Sequence, residues 1–190
     1  MTPRCDAQLS DDDLLDYWTH AIEGVDAERI EEHLFSCYDC AARLETMASL
    51  GSGLAALVRR GHVSGIVSRS LLNRIQRDGV QVRLYALSPD ERVPCAAFPG
   101  DDLLVLSLRA DFAGAKTVTL SVKGPDDADI GHVSGVPVAP TDVELLWATP
   151  GDSVRRLPST RVRLTITSDA PGAPVVAEYE LDHTALTASE

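Results

Sequence analysis

The chain has 190 residues, 44% of them apolar, which is enough to build a core in one large domain or two small ones. Its formal net charge of −12 argues against nonspecific binding along the DNA backbone, because like charges repel. No apolar run approaches the roughly 20 residues that span a bilayer. The opening MTPRCDAQLSDDD lacks the charged start and apolar core of a secretory signal, so the expected location is cytoplasmic.

Charge divides the chain into three parts. Residues 1–50 hold three arginines against twelve carboxylates, net −9; residues 51–80 are net +4, and residues 81–190 net −7. In the first part, Ser10 followed by Asp11, Asp12 and Asp13 reads as a helix start, with carboxylates at the positive end of the helix dipole. Leu14, Leu15, Tyr17 and Trp18 supply its apolar face. A second helix is expected from about Asp26 to Cys37, with Ile30, His33, Leu34 and Cys37 along one side. A third begins near Asp39 and passes Leu44, Met47 and Leu50, and GSG at 51–53 interrupts it or serves as a hinge. A fourth amphipathic helix is expected over 62–77, where Val63, Ile66, Val67, Leu71, Leu72 and Ile75 recur at helical spacing.

Beyond Gly79 the period changes from helical to alternating. VQVRLYAL, LLVLSLRA, TVTLSVKG, VELLWAT, RVRLTIT and VVAEYEL are short, rich in β-branched residues and separated by Pro, Gly and Asp clusters. The predicted class is α+β: a small helical domain of three to four helices over 1–79, then an all-β antiparallel sandwich or barrel over 80–190.

The chemistry concentrates in EEHLFSCYDC, residues 31–40, where His33, Cys37 and Cys40 form H-x-x-x-C-x-x-C. Positions four apart share a helix face, so His33 and Cys37 can address one ion, and the C-x-x-C step lets Cys40 join them. One imidazole and two thiolates suit tetrahedral zinc, which in a closed site takes four ligands. Cys5, His20, His62 and Cys95 are the candidates for the fourth. In a cytoplasmic setting such cysteines serve as metal ligands or redox thiols more often than as disulfides.

The segment from Cys5 through LSDDDLLDYWTHAIEGVDAERIEEHLFSCYDCAARL resembles the zinc-binding anti-sigma domain of bacterial anti-sigma factors. The resemblance covers about residues 5–78 and implies zinc held by Cys5, His33, Cys37 and Cys40. HAIEGVDAE stands where the family usually has an Asp-Gly-Glu-Leu turn. It further implies a protein that sequesters a sigma factor of the extracytoplasmic-function type and so represses transcription, with no direct contact to nucleic acid. The acidic first part suits a basic sigma-factor surface, and Leu54, Leu57, Val58, Ile66, Leu71, Leu72 and Ile75 are its expected apolar anchors.

Two release routes follow. Oxidation of the cysteine ligands would expel the metal. Alternatively, a signal would bind the β domain, where Cys95 is a possible redox sensor. Some soluble relatives carry a metal-binding cupin barrel there, but His132 and His183 stand alone in this sequence, so that site is not expected. The competing reading is a zinc-stabilised adaptor for some other protein. An enzyme is not expected, because four ligands close the site and neither H-E-x-x-H nor a nucleophile elbow occurs.

Overall fold

The computed structural model describes residues 5, 8–59, 64–169 and 174–186, with the backbone alone for 52–59. It is an α+β protein made of two compact units, Met1–Leu57 with Ser68–Gly79 and Val58–Val67 with Val80–Glu190. No helix among the described residues is long and apolar enough to cross a membrane.

The first unit is helical: α1 (Asp11–Thr19), α2 (Val25–Ser36), α3 (Tyr38–Arg59) and α4 (Arg69–Arg77). At the start of α1, the Ser10 hydroxyl accepts from the Asp13 N–H at 3.0 Å, and the Asp13 carboxylate accepts from the Ser10 N–H at 3.1 Å. These reciprocal bonds satisfy two backbone donors that a helix start leaves unpaired. The Ser10 hydroxyl, donating to the Asp13 carboxylate at 2.7 Å, and the Ser10 N–H together hold that carboxyl below its ordinary pKa. At the other end, Arg74 and Arg77 of α4 donate to the carbonyls of Trp18 and Thr19 at 2.8 and 2.7 Å. Cations there complement the negative end of the dipole. Arg74 also lies over the Trp18 ring, 5.5 Å from its centre. Two arginines of the basic segment are thus spent inside the unit.

Two expectations change here. The GSG stretch does not break α3, which runs unbroken past it. Gly51 is instead where the Trp18 ring presses on the helix; a Cβ there would meet the ring carbon Cζ2 at 2.7 Å. The helix expected over 62–77 is replaced by strand β1 (Gly65–Val67) and the shorter α4, capped by the Ser68 hydroxyl on the Leu71 N–H at 3.2 Å. β-Branched Ile66 and Val67 take the extended form because β7 offers them a pairing edge.

The second unit holds β1, β2 (Val82–Leu87), β3 (Arg92–Cys95), β4 (Leu103–Arg109), β5 (Thr117–Lys123), β6 (Asp129–Pro137), β7 (Glu144–Pro150), the short helix α5 (Gly151–Arg155), β8 (Thr160–Ser168) and β9 (Val175–His183). One sheet has the order β1-β7-β4-β2 and the other β3-β9-β8-β5-β6. The six expected strands are all present. Most pairings are antiparallel, but β2–β4 and β3–β9 are parallel, so both sheets are mixed. Parallel neighbours need crossover connections rather than hairpins, and no local turn signal announces them.

The main core fills from Leu106, Leu108, Leu120, Val122, Leu164, Ile166 and the fully buried Tyr179, whose hydroxyl donates to the Arg109 carbonyl at 2.6 Å. β4 is buried along almost its whole length, because Leu104 on its second face packs with Ala97 and Val154. In the larger sheet β5, β8 and β9 alternate, with every second residue facing the core. Across that sheet Arg92, Glu180, Arg163, Lys123 and Asp129 align in one cross-strand row. Ion pairs Arg92–Glu180 at 2.5 Å and Lys123–Asp129 at 2.6 Å lie within it.

Candidate metal centre

His33 sits in the last turn of α2, and Cys37 is the single residue between α2 and α3. The Cys37 N–H donates to the His33 carbonyl at 2.8 Å, ending one helix, while its own carbonyl accepts from Ala41 at 3.1 Å, starting the next. Its extended backbone (φ −119°, ψ 102°) turns the chain between them. Cys40 follows in the first turn of α3 and is fully buried. One junction between two helices therefore delivers three soft donors to one point.

Cys5 arrives from the segment before α1. Leu9 buries its side chain in the small core with Leu14, Ile30 and Cys40. Arg43 of α3 donates to the Leu9 carbonyl at 2.8 Å and forms a close ion pair with the Asp11 carboxylate. So anchored, the segment sets Cys5 Sγ 3.4 Å from His33 Nε2 and 4.0 Å from Cys40 Sγ. All four ligand atoms lie within 4.8 Å of one another.

Those separations can be tested against a metal. Zinc–sulfur bonds of about 2.3 Å and a zinc–nitrogen bond of about 2.0 Å in a tetrahedron put neighbouring donors roughly 3.5–3.8 Å apart. The two distances from Cys5, 3.4 and 4.0 Å, lie just either side of that spacing, and the group can hold a metal ion after small adjustments. The donors are also chemically prepared. The Cys40 N–H, the Cys5 thiol and the Asp39 N–H, at the positive end of α3, hold the Cys37 thiol below its ordinary pKa. Arg43 is held charged chiefly by its bond to Asp11, and its guanidinium also interacts with the Cys40 sulfur. Arg43 is the residue that sequence reasoning missed. Its only signal was its place three residues after Cys40, one helical turn along α3.

Among the other candidates for a fourth ligand, His20 is an exposed left-handed cap of α1, and His62 lies outside the described residues. Cys95 is at the end of β3, paired in register with His183, whose Nδ1 stands 3.8 Å from its sulfur. Burial pushes the Cys95 thiol up to about 11, with the nearby Asp182 charge acting in the same direction. A buried, protonated thiol has the properties of a core cysteine rather than of a reactive sensor.

Of the expected anchors, the four placed on the 62–77 helix are divided between β1 and α4. Ile66 lies in β1 beside the core of the β unit, Leu72 of α4 is buried, and Leu71 and Ile75 are half-buried. Leu54, Leu57 and Val58 belong to α3, but their side chains lie outside the described residues. Among the described residues of the helical unit, the most exposed large apolar side chains are Phe35, Tyr38, Val25 and Leu50.

No family model and no curated protein matches the chain. Among solved structures, the chain is similar to the N-terminal domain of phage TP901-1 ORF48, at 9% identity and a TM-score of 0.34, over 55% of this chain and 98% of that one. A likeness that slight bears on neither fold nor function.

Proposed function

We propose that the chain is a zinc-binding anti-sigma factor whose helical unit sequesters a sigma factor of the extracytoplasmic-function type. The observation that supports this reading is the closure of Cys5 onto His33, Cys37 and Cys40 across a helix–helix junction in an acidic helical unit. Three thiolates and one imidazole favour zinc over the harder cations, and four protein ligands leave no open position for catalysis. The metal acts as a brace. Among the described residues Cys40 lies in the buried apolar core beside the site, and Cys5 and Cys37 pack against it, so a bound metal would staple that core.

In this account the acidic helical unit meets the basic sigma-factor surface that would otherwise engage core polymerase. Long-range attraction speeds the encounter, and apolar anchors set the residence time. Oxidising or removing the ligands would loosen the brace and release the partner. Co-expression with extracytoplasmic-function sigma factors of the same organism, followed by co-purification and a run-off transcription assay, tests the reading. One sigma factor is expected to co-purify at equal stoichiometry and to lose transcription activity. If no such sigma factor co-purifies or is inhibited, the reading is wrong.

A further inference from the structure

The outward side of α2 is a stripe that neither the metal centre nor the core uses. Val25, Glu28, Glu32 and Phe35 follow helical spacing, and all are exposed. Phe35 is 92% exposed and Tyr38, at the start of α3, is 81% exposed. The two rings flank Cys37 in sequence, on the very junction that the metal would clamp. Between Glu23 and Asp39 the chain carries six carboxylates and one arginine.

Resting on the proposed function, we infer that this metal junction is the docking surface for the sigma factor, with Phe35 and Tyr38 as its apolar anchors and the α2 carboxylates as its guide. Aromatic side chains are the commonest anchors of protein interfaces, because they bury large area at small entropic cost. Their surroundings choose the occupant. A second copy of this chain would bring the same acidic stripe, and nucleic acid or an anionic membrane would also be repelled. A cationic protein surface with an apolar socket is the complementary partner. A bound metal fixes the junction, so the rings are held ready rather than ordered on binding. Loss of metal would then dismantle the docking surface itself.

The test uses the full chain carrying Phe35→Ser with Tyr38→Ser, and a second variant carrying Glu28→Lys with Glu32→Lys. Both sets are exposed, so metal content by mass spectrometry is expected to match the parent. Affinity is measured for each purified extracytoplasmic-function sigma factor of the same organism. The aromatic variant is expected to bind about 10-fold more weakly or worse, mainly through faster dissociation. The charge variant is expected to associate about 10-fold more slowly at low salt, with the difference shrinking as salt rises. If the parent binds a sigma factor and the aromatic variant binds within about twofold of it, the docking surface lies elsewhere while the proposed function stands. If the parent binds none of them, the proposed function and this surface fall together.

Discussion

Cys5 Sγ lies 3.4 Å from His33 Nε2, although 28 positions separate them in the chain. Arg43 ties the Leu9 carbonyl and the Asp11 carboxylate, which follow Cys5 in the chain, to α3. Replacing Arg43 by Met keeps most of its apolar stem and removes the tie. Zinc affinity, measured by competition with a chromophoric chelator, is expected to fall by about 10–100-fold, the usual effect of losing an outer partner of a metal ligand. An unchanged affinity would show that Cys5 is positioned without Arg43.

Thiol counting separates the two classes of cysteine. Three thiols belong to the metal cluster, and the fourth, Cys95, is buried with its pKa pushed up to about 11. In the metal-loaded native protein, a thiol reagent at neutral pH is expected to react slowly with all four. After chelation three should react promptly, and the fourth only when the protein is unfolded. Prompt labelling of Cys95 in the native chain would contradict its place in the core.

Gly51→Ala tests the contact between Trp18 and α3. By propensity alone the substitution would stabilise a helix by about 1 kcal/mol. The new methyl meets the Trp18 ring, however, and overpacking of this kind costs about 1–3 kcal/mol. Net destabilisation is expected in thermal or urea unfolding. In a Trp18→Ala background the same change should become stabilising, and the sign reversal is the signature of the contact.

Asp101 gives the β unit an acid limb. Its carboxylate is largely buried and accepts from Arg83 Nε at 2.6 Å and from the Phe98 N–H at 2.7 Å. Burial alone would raise its pKa, but the bonds from Arg83 and Phe98 outweigh it and leave the group below the usual carboxylate value. The bonds therefore stabilise the fold fully above the unfolded value of about 4 and lose that effect as pH falls through the lower folded value. Asp101→Asn is expected to reduce stability at neutral pH by about 1–2 kcal/mol, the net worth of charge-assisted bonds to a partly exposed partner. It should also flatten the decline below about pH 4 seen in urea-unfolding free energies. A variant with the parent's full acid dependence would remove Asp101 from that role.

Local chemistry was the readable part of the sequence. Ser10 and Asp13 form their cap wherever the helix lies, and His33, Cys37 and Cys40 share a helical stretch, so spacing alone grouped them. Alternation likewise marked β5, β8 and β9, which are half-buried, each with one face in the core. What escaped depends on distant partners. Ile66 and Val67 read equally well as a helical turn until β7 supplies an edge. Gly51 resembles a hinge until Trp18 rests on it. Strand β3 carries Pro94 and stood hidden in a turn-rich stretch; its place at a sheet edge tolerates the missing N–H. Strand β6, with two glycines and irregular pairing to β5, lacked the alternation that revealed the others. Phe35 and Tyr38 could be read as letters, but their exposure could not.

X-ray absorption at the zinc edge of the purified chain counts the donors around the metal. One zinc per chain is expected, with three sulfur neighbours at about 2.3 Å and one nitrogen at about 2.0–2.1 Å. Cys5→Ala should lose one sulfur and bind zinc as weakly as Cys37→Ala. A parent spectrum with two sulfurs, or a Cys5→Ala protein that keeps both its zinc and its sulfur count, would contradict the four-ligand site.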